Sequence, residues 1–285
     1  MAVNKIRPDI YSLAQTNRAK VAIGLNSDSP FSERVMNSAL FAKREGYANP
    51  ILVSARDLRP PEISEEIPIV ITNCPERTIV NMLKEGIVDA AVRGNLSATA
   101  VISSLRAAFD CKNLYRITLL EIQGRPVMLA PVGIDEGDTI EDLVTFAAKG
   151  KDLARLLGMH YNVGVISGGR LEDVGRSPKV DQLLSYSITL TQKIKEMGLE
   201  AENFGIEIER AIKSGASLLL VPDGIIGNII FRSLVLVANV DSFGAYASAL
   251  PKVYIDTSRA KGSYFLPIVF ASALSNKKSE KQIEI

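Results

Sequence analysis

At 285 residues the chain exceeds the usual single-domain size and is short for three, so one large domain or two modest ones are expected. Hydrophobic residues make up 47% and charged residues 23%, the balance of a soluble globular protein with a sizeable core. With 33 basic and 32 acidic side chains the formal charge is +1, which leaves no electrostatic footprint for nucleic acid or an anionic membrane surface.

The N-terminal part alternates short apolar runs with helical patterns. Val21–Leu25 reads as a strand, Ser32–Glu45 as a helix and Pro50–Val53 as a strand. Arg56–Glu66, with two prolines and several charges, reads as a surface loop, followed by a strand at Ile67–Thr72. Pro75–Glu85 is a helix with its proline well placed in the first turn, Val88–Val92 a strand and Ser97–Ala108 a helix. Such alternation predicts parallel strands joined by helical crossovers. The pattern then breaks: Leu114–Ile122 and Pro126–Val132 flank Gln123-Gly124-Arg125, a hairpin signal.

A long helix, Thr139–Leu157, follows with Glu141 and Asp142 near its positive end and Gly158 at its close. It leads into a second α/β unit through strand Val163–Ile166, helix Pro178–Met197, helix Gly205–Ser214 and strand Leu218–Val221. Ile225–Ala238 reads as a helix that is apolar nearly all round, so it needs burial on more than one side. Together with Ser242–Tyr246 it predicts a homodimer through the second domain, the alternative being burial within one subunit. Val253–Ile255 is a further apolar run, and Asn276–Ile285 reads as a frayed tail.

Cys74 and Cys111 make no disulfide framework and, with no signal peptide in front, read as reduced thiols of a cytoplasmic protein. One histidine, His160, and two distant cysteines supply no metal-ligand cluster. Neither G-x-G-x-x-G nor a P-loop is present, no nucleophile elbow accompanies His160, and no cofactor is assigned. No apolar run reaches membrane-spanning length.

Anion-binding chemistry concentrates in four places. Asp223, Gly227 and Asn228 put a carboxylate, a permissive backbone and a helix N-terminus at one spot after a strand. On those residues alone, the capping of a buried helix by Asp223 and Asn228 is the favoured reading. Ser167, Gly168 and Gly169 follow a strand with Arg170 beside them and Arg176 nearby, as ligand contacts or as solvated loop residues. Ser258 beside Arg259 suits an oxyanion or phosphate. Arg93, ending a strand, is either a phosphate ligand or half of an inter-domain ion pair.

In order along the chain, Ala91–Thr99, Val163–Arg170, Asp-Gly-x-x-Gly-Asn at 223–228 and Asp-Thr-Ser-Arg at 256–259 resemble the phosphate acetyltransferase and butyryltransferase superfamily. Ser32-Glu33-Arg34 and Pro50–Val53 are similar to its opening β-α-β unit. The resemblance implies a two-domain, three-layer α/β/α fold of the isocitrate/isopropylmalate dehydrogenase type. Its domains would be 1–140 with 255–285, and 141–254 carrying the dimer contact, with a ligand cleft between them.

The resemblance also implies active-site roles for Ser258 and Arg259, and a phosphate-binding segment containing Ser97 and Thr99. Three positions depart from the acetyltransferase pattern: Leu236 and Ser104 stand where those enzymes have arginines, and Phe265 stands where they have an aspartate thought to act as general base. A phenylalanine cannot take a proton and a leucine cannot pair with a phosphate. With these losses, Gly168–Ser177 resembles an archaeal branch known as methanogenesis marker protein 4, or the Mtx subunit X family, named for a methyltransferase subunit. No glycine-rich adenosylmethionine loop and no D-x-H-x-x-G corrinoid signature accompanies that name. The expected partners are a small anionic ligand, a second copy of the chain and methyltransferase subunits. A diverged transferase is the first reading, with a non-catalytic accessory protein or an active phosphate acyltransferase as alternatives; a dehydrogenase is disfavoured because no clustered aspartate motif for a divalent metal is evident.

Overall fold

The computed structural model describes residues 6–283, with side chains for residues 9–16 and 18–276. In chain order its elements begin α1 (Ile6–Asn17), β1 (Lys20–Leu25), α2 (Ser32–Arg44), β2 (Asn49–Ser54), α3 (Pro61–Ser64), β3 (Ile69–Ile71) and α4 (Pro75–Lys84). Then come β4 (Ala90–Val92), α5 (Ala98–Phe109), β5 (Arg116–Ile122), β6 (Arg125–Ala130), α6 (Ile140–Leu156), β7 (Val163–Val165) and α7 (Pro178–Glu196). The remainder is β8 (Ala201–Asn203), α8 (Ile208–Lys213), β9 (Leu218–Leu220), α9 (Gly224–Arg232), β10 (Asp241–Ala247), β11 (Val253–Asp256) and α10 (Phe265–Ile283).

Two compact units result: a terminal unit of Arg7–Leu114 with Ser242–Ile285, and a central unit of Tyr115–Asp241. These bounds differ from the 140 and 254 read from sequence, and strand pairing supplies the reason. The β5–β6 hairpin pairs through Met128–Ala130 with Leu218–Leu220 of β9, which draws it into the central unit. β10 pairs with β11, and β11 lies parallel to β4, which draws both into the terminal unit.

In the terminal unit the strand order is β3-β2-β1-β4-β11-β10, parallel except for β10. Side chains alternate across it. Ala22, Ala91 and Tyr254 are paired in register and share a buried cluster with Ile79, Leu83, Val101 and Leu105 of α4 and α5. Helices α2 and α10 pack together and against β1. The parallel strands are apolar throughout because helices cover them, which is why they read as unbroken hydrophobic runs.

In the central unit β5 and β6 turn at Gln123 and Gly124, both at positive φ (53° and 72°), the backbone that a two-residue hairpin of primed type requires. β6, β9, β7 and β8 follow in parallel. Thr139 caps α6, accepting from the Asp142 N–H at 3.1 Å. No helix among the described residues is long and apolar enough to cross a membrane.

Several sequence expectations are corrected. The 205–214 helix begins only at Ile208, because Gly205 stands at φ 58° with a Cβ position 2.4 Å from the Gly169 carbonyl oxygen. The 225–238 helix is α-helical only to Arg232. The Ser233 hydroxyl bonds back to Ile229 O at 2.9 Å and the chain widens into a π-turn, Ser233–Val237. Ser242–Tyr246 belongs to β10, where Phe243 is buried against Phe270 and so presents no surface to a partner. The 56–66 loop contains the short α3. Asn276 is no frayed residue: it lies in α10, buried, donating to Leu13 O at 2.7 Å, while residues 284 and 285 lie outside the described residues.

Candidate functional site

The parallel strands of the terminal unit bring their C-terminal ends to one edge, where the loops after β1, β4 and β11 emerge. From β1 the chain moves outward to β2 and β3, whereas β4 lies on its other side. This is the reversal in strand order beside which open α/β sheets bind ligands.

The loops there are tied to one another by short polar contacts. The Asn26 N–H donates to Asn95 Oδ1 at 2.7 Å, joining the β1 loop to the β4 loop. Thr257 Oγ1 donates to Gly94 O at 2.7 Å, joining the β11 loop to the same segment. Gly94 stands at φ 63°, and a Cβ there would lie 1.9 Å from Gly24 O; only glycine lets the two backbones approach so closely.

Arg93 follows β4 directly and is buried. Its Nε donates to Asp256 Oδ1 and its Nη1 to Leu96 O at 2.8 Å, while its main-chain N–H donates to Ile255 O at 3.0 Å. Burial opposes its charge, but the Asp256 carboxylate beside it wins, so the guanidinium pKa is raised. Arg93 is therefore half of an ion pair, and that pair lies within the terminal unit; the inter-domain pair considered from sequence is not what forms.

Ser97 caps α5, accepting from the Ala100 N–H at 3.5 Å, and Thr99 is exposed in that helix's first turn. Ser258 is half-buried in a turn closed by the Lys261 N–H to Ser258 O at 3.2 Å, and its Oγ accepts from the Ala260 N–H at 3.3 Å. An Oγ that accepts from the main chain keeps its proton for an outside acceptor. Arg259 is exposed, with no side-chain partner among the described residues. Arg93, Ser97, Thr99, Ser258 and Arg259 thus belong to one group of linked loops.

The other expected residues lie in the central unit, each with a packing or capping contact. Ser167 Oγ donates to Leu183 O at 3.0 Å, and a Cβ on Gly168 would meet Leu183 Cδ1 at 2.2 Å. The Gly168-Gly169 pair brings α7 close to the sheet, and Val180 Cγ1 lies 2.8 Å from the Cβ position of Gly169. Arg170 pairs with Glu207 at 3.5 Å and Arg176 with Asp173 at 3.0 Å. The Arg170 N–H, followed by the Arg176 guanidinium, holds the Asp173 carboxyl below its ordinary pKa.

Asp223 caps α9, accepting from the Ile226 N–H at 2.8 Å, and Asn228 Nδ2 donates to Val132 O at 3.1 Å. Cβ atoms on Gly224 and Gly227 would lie 1.6 and 1.8 Å from the carbonyl oxygens of Gly133 and Pro131. The Asp-Gly-x-x-Gly-Asn motif is thereby the means by which α9 lies backbone-on-backbone against residues 131–133. A cavity of about 120 Å³ near Arg125, Met159, His160 and Ser217 opens at the opposite strand ends and is lined by none of the expected residues. Among the described residues no group of His, Cys, Asp or Glu is placed to hold a metal ion.

Asp256, Tyr264, Asn26 and Asn95 organise the terminal loops without having been singled out by sequence. Asp256 stood in the Asp-Thr-Ser-Arg segment, which was its signal. Asn95 likewise stood in the Ala91–Thr99 segment; Asn26 and Tyr264 gave no signal, since Asn26 reaches a loop 69 residues away and the Tyr264 N–H reaches Ser38, 226 residues away.

No family model matches the chain. It is 37% identical over 270 residues, 94% of this chain and 98% of the relative, to a Methanosarcina barkeri protein named "Putative methyltransferase mtx subunit X". A Methanosarcina mazei protein of the same name is 36% identical, with 96% of each chain covered. Among solved structures the fold is similar to a branched-chain phosphotransacylase from Enterococcus faecalis, with a TM-score of 0.67 at 17% identity over 90% of this chain and 98% of that one.

Proposed function

Starting from the fact that the chain belongs to the family named for Mtx subunit X, we propose that it binds a small phosphate- or carboxylate-bearing molecule at the loops after β1, β4 and β11. It is a diverged member of the phosphotransacylase-like fold, serving methyl metabolism in a methanogen. Ser258 and Arg259 contact the anion, Ser97 and Thr99 present the N-terminus of α5, and Arg93 holds the loops in place. Segments 167–176 and 223–228 enter as scaffold of the central unit. The observation that carries this reading is the Ser258–Arg259 turn, where a hydroxyl proton and an unpaired guanidinium stand side by side.

Titration with inorganic phosphate, acetyl phosphate and coenzyme A, followed by calorimetry, tests it. Saturable binding that weakens in Ser258→Ala is expected; no binding of any of the three to the intact protein sinks it.

A second reading, an accessory subunit that holds the ligand without acyl transfer, is favoured by one observation. Phe265 stands where a general base would be needed, and its ring packs against Tyr11, Phe41 and Tyr47 at centroid distances of 6.1, 4.8 and 5.7 Å. Loss of a general base removes about 10²–10⁴-fold of rate. The proposal therefore includes no acetyl-CoA:phosphate acetyl transfer at ordinary enzymatic rates, and a coupled thiol assay that detected turnover near ~10 s⁻¹ would contradict it. The homodimer also belongs here, supported by Ile225, Ile229 and Val237, which are 57, 59 and 79% exposed along α9 and its π-turn.

A further inference from the structure

The Ser258–Arg259 turn is anchored at both ends and pinned in the middle. Before it, Asp256 is locked to Arg93. After it, the Lys261 ammonium donates to Ser242 O. Between them the turn's own bonds are the two main-chain N–H groups on Ser258, at 3.2 and 3.3 Å. The Tyr264 side chain reaches the turn from outside. The Tyr264 hydroxyl lies 3.2 Å from Ser258 O and 3.1 Å from Arg259 O, within donating distance of two successive carbonyls.

Tyr264 is itself rigidly held. It is fully buried, its main-chain N–H donates to Ser38 Oγ at 3.0 Å, and its carbonyl accepts from the Ile268 N–H at 3.1 Å at the start of α10. Ser38 in turn donates to Arg34 O within α2 at 2.6 Å. The ring is therefore a strut from the α2–α10 pair to the turn.

We infer that Tyr264 is the positioning residue of the anion site: its hydroxyl fixes the Ser258 and Arg259 carbonyls and so sets where the serine Oγ and the arginine side chain project. The inference rests on the reading of Ser258 and Arg259 as anion ligands. Two consecutive carbonyls fixed by one donor restrain the peptide plane between them, and that plane carries the Arg259 Cα. Without the phenol the turn's internal bonds, from the Ala260 and Lys261 N–H groups to Ser258, open more often, and its orientation relative to α2 and α10 is lost. Burial pushes the Tyr264 phenol up to about 12, despite the opposing charges of Arg93 and Arg34, so at neutral pH it is a donor and never a base. That chemistry assigns it to positioning and away from proton transfer.

The test compares Tyr264→Phe with Tyr161→Phe. The second variant deletes the same group, a half-buried phenol donating to Ala147 O at 2.5 Å, in the central unit. Amide hydrogen exchange is followed across both, and inorganic phosphate is the binding probe. A lost neutral hydrogen bond is expected to speed exchange at Ala260 and Lys261 by between about two- and tenfold in Tyr264→Phe and not in Tyr161→Phe. Phosphate affinity is expected to fall only in Tyr264→Phe, and by more than its exchange elsewhere in the terminal unit changes.

Unchanged exchange at Ala260 and Lys261 overturns the inference, whatever happens to phosphate. Faster exchange there, with phosphate binding equal to that of the intact protein, also overturns it. Should the intact protein take up no phosphate, the anion reading falls, and the exchange at Ala260 and Lys261 alone decides whether Tyr264 orients the turn. If Tyr264→Phe does not fold, Ser38→Ala removes the bond to the Tyr264 N–H instead; exchange at Ala260 and Lys261 that stays at its original rate then counts against the strut.

Discussion

The Arg93 guanidinium donates to the Asp256 carboxylate at the end of two neighbouring parallel strands, with only 6 and 12% of the two side chains exposed. The pair closes the top of the β4–β11 ladder, and Asp256 Oδ1 also accepts from the Thr257 N–H at 3.0 Å. Removing one partner of a buried pair strands the other charge, at a cost of about 3–5 kcal/mol. Asp256→Ala is expected to lower the melting temperature by roughly 10 °C, at about 2–4 °C per kcal/mol for a protein of this size. A calorimetric scan that left the midpoint in place would show the pair to be solvated in practice.

The same loops depend on close backbone approach. Gly94→Ala combines a left-handed backbone (φ 63°) with a Cβ placed 1.9 Å from Gly24 O. Strain of that kind costs on the order of 1–3 kcal/mol before the clash is counted. Chemical denaturation should therefore show a lowered midpoint with the slope unchanged. Gly124→Ala, at φ 72° with nothing within 4 Å of the Cβ position, isolates the backbone part and should cost less.

Ser258→Ala and Arg259→Ala are expected to weaken phosphate binding without lowering the melting temperature by more than about 2 °C, since neither side chain is buried. Charge-assisted hydrogen bonds contribute about 1.5–3 kcal/mol, so Arg259→Ala should cost at least about tenfold in Kd. Equal affinity for phosphate in Arg259→Ala and the unaltered chain would remove the guanidinium from the site.

Two phenols, Tyr264 buried and Tyr161 half-buried, predict an alkaline limb in stability. Tyr264 has its pKa raised to about 12 by burial, and Tyr161 is raised as well, by burial and then by Asp152. A folded-state pKa above the unfolded value means the folded protein binds more protons in between. The stabilisation is therefore complete below about pH 10 and is lost as pH rises through the folded value. Urea midpoints measured from pH 9 to 11.5 should fall, and should fall less in Tyr264→Phe. Parallel curves for the two proteins would assign the limb to other groups.

Ile225 and Ile229 lie one helical turn apart on α9 and are both more than half exposed. If they meet a second copy, light scattering should give about twice the 30.9 kDa of one chain, and Ile229→Glu should return it to that value. A mass near 30.9 kDa for the unaltered protein ends the dimer proposal. Phe243→Glu is no test, because Phe243 is in the core and its loss would unfold the terminal unit.

The sequence by itself determined the alternation of parallel strands and helices, because buried strands must be apolar throughout and crossovers need helical periodicity. It also marked the helix starts at Ser97, Thr139 and Pro178, where local capping chemistry is written within three residues. The Asp-Thr-Ser-Arg and Asp-Gly-x-x-Gly-Asn segments were equally legible as motifs, but identical residue types serve ligands and packing alike. Only the tertiary structure decided that Gly168, Gly227 and Asn228 hold helices against neighbouring segments, since the atoms they approach, on Leu183, Pro131 and Val132, are 15 to 96 residues distant. It likewise decided that Arg93 is neutralised by Asp256, 163 residues along the chain, and that the hairpin at 116–130 follows β9. Pairing between distant strands is set by which apolar faces can be buried together, a global balance that no local stretch of sequence encodes.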